Sequence, residues 1–244
     1  MNQAIKKQLR VWADRYETPD FIPADPIQFP HRFSLIQDIE IAGLLTAWIS
    51  FGNRKMILRK AEEMMQIMHQ TPYQYILSRE WEYDFPASEE QSFYRTFSKK
   101  QMHLLMHLLF DTYTRFHTLE EALLTYSGTP RERLCRWLSV SEKSPQKKLN
   151  MFLRWMIRKN SPVDLGVWNY FDAKDLVIPL DTHVTRVAHE IGLTEKATYS
   201  LRQAMSITNA LEEIFPGDPC RGDFALFGYG VQNNPIHHIG STSK

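Results

Sequence analysis

Apolar side chains recur at intervals of three and four residues along almost the whole chain, as in Leu35, Ile39, Leu44, Leu45 and Trp48 and again in Ile57, Ala61, Met64, Met65 and Met68. That spacing lines one face of a helix and is out of phase with a strand. Helix starts carry matching signals. Ser98-Lys-Lys-Gln101 and Thr118-Leu-Glu-Glu121 both have the form in which an oxygen at the cap and a longer polar side chain three residues on cover exposed N–H groups. No segment alternates apolar and polar residues for long enough to predict a strand, and Leu176-Val-Ile-Pro-Leu180 contains a proline that makes it an extended connector. The expected class is all-α.

Breaks rich in proline, glycine and small polar residues fall at 19–30, 71–72, 84–88, 127–130, 139–145 and 161–179, with no repeat at a solenoid period. They predict an N-terminal helix and proline-rich arm over 1–33, a helical bundle over 34–130, a second lobe over 131–192 and C-terminal helices over 193–244 that complete the fold. A chain of 244 residues, 43% hydrophobic, can bury a proper core. No apolar run is long enough to span a bilayer and the N-terminal segment has no signal-peptide centre, so a cytoplasmic protein without membrane contact is expected. Two cysteines exclude a disulfide framework and any four-cysteine zinc or iron–sulfur site within one chain. No metal or cofactor is expected; His237 and His238 lack a third ligand and read as part of a frayed tail over 233–244.

The net charge of +1 hides an uneven distribution. Residues 131–160 hold nine basic residues (Arg131, Arg133, Arg136, Lys143, Lys147, Lys148, Arg154, Arg158, Lys159) against two acids, on an otherwise mildly acidic chain. Such a segment suits a polyanion bound through counterion release, or else forms a solvated helix face. The connector before Asp181 leads into an amphipathic helix, with Val184, Val187, Ala188 and Ile191 at core spacing and Gly192 at its end. Asp181 stands at the cap, where free N–H groups and the helix dipole favour a carboxylate. Taken alone it reads as a cap; a fixed anion there also suits a developing positive charge.

Leu-Asp-Thr-His-Val-Thr-Arg-Val at 180–187 resembles the segment that supplies the catalytic aspartate in helix-hairpin-helix DNA glycosylases of the endonuclease III type. The stretch 38–53 resembles the early core helix of that superfamily and the turn after it, and 223–230 its penultimate helix. Almost the whole chain is similar to an uncharacterised bacterial family related to those glycosylases, through Phe29-Pro-His-Arg-Phe33, Gly52-Asn-Arg54, Lys148-Leu-Asn-Met-Phe-Leu-Arg-Trp-Met156 and Ile178-Pro-Leu-Asp-Thr-His183. The glycine-rich hairpin of the superfamily is missing. Its nearest counterpart is Ser144-Pro-Gln-Lys-Lys-Leu-Asn150, and Lys147 precedes Asp181 by 34 residues across the insertion-like stretch 161–174, a separation that resembles the archaeal branch acting on oxidised guanine.

The resemblance implies a two-lobed helix-hairpin-helix glycosylase-like fold with an atypical hairpin, whose groove holds Asp181 and Lys147. The implied activity is excision of a modified DNA base, with Asp181 stabilising the sugar cation and Lys147 attacking the anomeric carbon to give a Schiff base, or with Asp181 activating water instead. Lys148 beside it and the helix start would favour the neutral amine of Lys147. Lys148, His183, Asn53, Arg54, His31, Arg32, Arg154, Arg158 and Trp48 are the candidate DNA contacts, Trp48 as a wedge or base-stacking ring. The partner is then duplex DNA bound by a monomer in the nucleoid. A binding module that kept the scaffold without the chemistry is the alternative, and an RNA or nucleoside substrate stays open because fold does not fix substrate.

Overall fold

The computed structural model describes residues 2–232, so positions 233–244, with His237 and His238, lie outside the described residues. The chain is mainly helical, as its periodicity requires, and divides into two compact units: residues up to Phe21 with those from Gly128 on, and residues 22–127.

In the first unit, α1 (Gln3–Tyr16) and the late helices surround the connector that the sequence marks as extended. α8 (Pro130–Trp137) starts at a Thr129–Glu132 capping box and leads through a loop to α9 (Lys147–Ile157); α10 (Thr182–Glu190), α11 (Leu201–Glu212) and α12 (Arg221–Gln232) follow. Leu9 and Ala13 of α1, Ile178 and Leu180 of the connector, Val184, Val187 and Ala188 of α10, Ala204, Ile207 and Leu211 of α11 and Ala225 and Leu226 of α12 form one buried cluster. α12 packs on both α1 and α10. That packing requires Gly228, where a Cβ would stand 2.3 Å from the Tyr16 ring. The stretch after α9 folds back on it, with Leu165 and Gly166 donating to the Trp155 carbonyl and Trp168 to that of Met156. Gly166 is obligatory there, since its φ is +59° and a Cβ would meet the Arg158 carbonyl oxygen at 2.6 Å.

The second unit is built around α2 (Ile36–Ile49), buried on nearly every side, with α3 (Arg54–Ile67), α4 (Pro72–Ser78), α5 (Trp81–Asp84), α6 (Lys99–Tyr113) and α7 (Leu119–Leu124). Glu40 on α2 is fully buried and accepts from Tyr113 Oη and from the Leu119 and Glu120 N–H groups, so it supports the start of α7. The proline-rich arm is three 3₁₀ turns (Pro19–Ala24, Pro26–Gln28, Pro30–Arg32) that bury Ile27 and Phe29. Strands are absent from the sequence expectation, yet β1 (Ser92–Tyr94) and β2 (Phe97–Ser98) pair antiparallel. The pair is too short to show as alternation; burial of Phe93, Tyr94 and Phe97 and a left-handed Arg95 at the turn hold it.

Candidate functional site

Asp181 stands at the start of α10 in extended backbone, as an N-cap should. Its two oxygens have different partners. Oδ1 accepts the Val184 N–H at 2.9 Å, while Oδ2 faces Lys147 Nζ at 3.7 Å. Both side chains keep some solvent access, 13% for Asp181 and 26% for Lys147. The aspartate therefore caps α10 with one oxygen and faces an amine with the other. It meets, across 34 residues of sequence, the lysine that chemistry would pair with it.

Local structure explains the meeting. α9 has an amphipathic sequence whose Leu149, Phe152, Leu153 and Met156 are buried, which leaves Lys147 and Lys148 half-buried at its first turn. The Ile178 N–H donates to Thr208 Oγ1 at 3.1 Å, which ties the connector to α11 just before Asp181. Burial, and behind it the neighbouring Lys147 ammonium, push the Lys148 amine down to about 8. The depressed amine is thus Lys148, where the sequence alone points to Lys147.

Other groups gather around Asp181. His183 lies edge-on to the Phe227 ring at 6.0 Å, held by the α10–α12 contact. Tyr199, on the loop before α11, has its hydroxyl raised by desolvation and, behind that, by the Asp181 charge. Asp223 on α12 is pushed up to about 6, first by burial and in part by Asp181, against the lowering effect of Arg154.

Arg154 and Arg158 correct the sequence expectation. Both are buried against carboxylates of their own unit. Arg158, 1% exposed, binds Asp164, Glu17 at 2.8 Å and Asp218 at 2.7 Å; Arg154 binds Asp164 at 3.2 Å and Asp223. Arg131 donates to the Glu142 and Ser144 carbonyls and Arg136 pairs with Glu142 at 2.8 Å. Three of the nine basic residues, Arg131, Arg154 and Arg158, thus serve the interior of their own unit, while Arg136 forms an exposed pair.

In the second unit, Asn53 caps α3 by accepting from the Met56 N–H, and Arg54 stands 3.8 Å from Asp25. Arg32 pairs with Glu62 at 2.7 Å and lies over the Phe29 ring; His31 beside it is exposed. Trp48 is half-buried, 6.1 Å from Phe97. One cation escaped the sequence argument. Arg95, exposed at the β1–β2 turn, lies over the Phe51 ring and against Gly52, and no carboxylate pairs with it among the described residues. A lone arginine in a short polar turn gives no sequence signal.

A cavity of about 670 Å³ opens in the first unit, lined by Arg131, Glu142, Lys143, Val177, Leu201 and Met205 among others, but not by Asp181 or Lys147. Among the described residues no group of three histidine, cysteine or acidic side chains is placed to hold a metal, and no helix is long and apolar enough to cross a membrane. The chain matches, over residues 25–140 and 130–232, a family model described as "Protein of unknown function (DUF2400)". No curated protein and no solved structure matches it.

Proposed function

The chain belongs to the DUF2400 family, and we propose that it is a DNA base-excision enzyme on a helix-hairpin-helix glycosylase-like scaffold, cleaving the N-glycosidic bond of a modified base. The observation that carries the reading is the approach of Lys147 Nζ to Asp181 Oδ2, 3.7 Å apart, with Asp181 at a helix start. The resemblance of 180–187 to the glycosylase aspartate segment supports it. The family description itself assigns no reaction.

In this reading Lys147, as the free amine, attacks C1′ of the nucleotide. The C1′–N pair departs with the base, Asp181 balances the positive charge that develops on the sugar, and the proton shed by the amine passes to Asp181 Oδ2. The ring then opens as O4′ takes that proton from Asp181, leaving the protonated Schiff base on Lys147, and the departed base anion is protonated by water. Borohydride should then trap a covalent adduct with lesion-bearing duplex that disappears in Lys147→Ala and persists in Lys148→Ala. A screen of lesion oligonucleotides, scored by gel shift and by strand breakage after alkali, identifies the substrate; neither trapping nor base release with any lesion would leave the binding-module reading.

In this reading the first unit offers Lys148 and His183, beside the aspartate, to DNA; the second unit, taken by itself, offers His31, Arg32, Trp48, Asn53, Arg54 and Arg95. Because Arg131, Arg154 and Arg158 are buried and bonded within their own unit, affinity should fall with salt less steeply than nine free cations would require. Arg95→Ala should weaken duplex binding across sequences and lower the slope of log K against log salt by about 1. Anisotropy titrations at several salt concentrations measure it, and an unchanged slope removes Arg95 from the interface.

A further inference from the structure

We propose that Asn150, which has no part in the chemistry, is a positioning residue: its side chain ties the start of α9 to the connector ending in Asp181 and so sets the separation of Lys147 and Asp181. The proposal rests on the reading of that pair given above.

Asn150 is 1% exposed. Its Nδ2 donates to the Pro145 carbonyl at 2.9 Å and to the Ile178 carbonyl at 3.4 Å. Pro145 precedes Lys147 by two residues and Ile178 precedes Asp181 by three. One amide therefore spans the two chain segments that deliver the two groups. Its orientation follows from its neighbours, since the flipped amide would set an oxygen against two carbonyl oxygens.

Each end of this bridge is fixed further. On the α9 side, the Asn150 N–H donates to the Gln146 carbonyl at 3.0 Å, so backbone and side chain of Asn150 hold consecutive carbonyls through the left-handed turn at Gln146, whose φ is +47°. On the connector side, the Ile178 N–H is held by Thr208 while its carbonyl is held by Asn150. Pro179 then restricts φ and Leu180 is fully buried, which leaves Asp181 little freedom before its cap begins.

The Oδ1 of Asn150 is buried and has no partner. Leaving a buried acceptor unpaired is unfavourable, and a leucine would fill similar space without that penalty. The two donated bonds are what an asparagine supplies here that an apolar residue cannot.

The test reads the coupling of Lys147 to Asp181 directly, in the full chain with its lysines ¹³C-dimethylated. The Lys147 NMR signal is assigned by its loss in Lys147→Arg. With Asn150 present, Asp181→Asn should shift that signal and its titration midpoint. In Asn150→Leu the response to Asp181→Asn should be lost. Should that variant fail to fold, Asn150→Asp keeps the volume while exchanging the donor for an acceptor and should lose the response too. A Lys147 signal that still answers to Asp181→Asn in a folded Asn150 variant overturns the proposal, because a residue that merely supports the fold would lower the melting temperature and leave the coupling in place. Base release is measured on the unsubstituted chain with its lysines unmethylated. Coupling that depends on Asn150 without any base release would overturn the excision reading alone, whereas base release with coupling independent of Asn150 would overturn this one alone.

Discussion

Asp181→Asn is expected to lower single-turnover base release on the order of 10² to 10⁴-fold, while duplex affinity stays within a few-fold and the fold is preserved. The separation of effects follows from the two oxygens. Oδ1 serves the helix, accepting the Val184 N–H, and an asparagine caps as well as an aspartate does. Oδ2 serves Lys147, and the substitution replaces that anionic oxygen by a neutral amide. A transition state with cationic character at the sugar then loses its counter-charge, whereas the ground state, already rich in phosphate, loses nothing it needs. Asp181→Ala should lose the cap as well, about 1 kcal/mol of stability, so the asparagine variant is the cleaner probe. Base release at the native rate in Asp181→Asn would refute the mechanism.

Much of the site was legible because its parts announce themselves locally. An aspartate between an extended connector and an amphipathic helix predicts its own conformation, and the structure places Asp181 as that cap. A lysine at the start of an apolar-faced helix predicts a half-exposed amine, as at Lys147. Arg154 and Arg158 misled because charge along a chain does not reveal its partners: Glu17, Asp164, Asp218 and Asp223 come from four other segments. A usable signal did exist. Leu149, Phe152, Leu153, Trp155, Met156 and Ile157 take up so much of the α9 circumference that arginines four residues apart on it have little exposed face left to occupy. The β1–β2 hairpin and Arg95 were hidden for the opposite reason, being too short to have a period at all.

Arg158→Met should unfold the first unit far more readily, with a loss of about 3 to 5 kcal/mol at neutral pH. The methionine keeps most of the side-chain volume, so the loss is electrostatic. It leaves Asp164, with a side chain at 0% exposure, sharing only Arg154 with Asp223, and strips Glu17 and Asp218 of the same guanidinium. Even in the native network four carboxylates face Arg154 and Arg158, with Arg221 adding to Glu17 alone. Burial accordingly raises Asp164, and pushes Asp223 from 3.8 up to about 6. The sign follows from that direction. The unfolded chain releases these protons at lower pH than the folded chain does, so the contribution of Asp223 to stability is lost as pH rises from about 4 to about 6 and is flat above. Removing a guanidinium moves the buried carboxyls further the same way, which makes the destabilisation by Arg158→Met larger at pH 7.5 than at pH 5. Urea midpoints of both proteins at the two pH values measure it. A loss below about 1 kcal/mol, equal at both, would mean that these groups behave as a solvated surface cluster, and Arg158 would return to the candidates for contact with DNA.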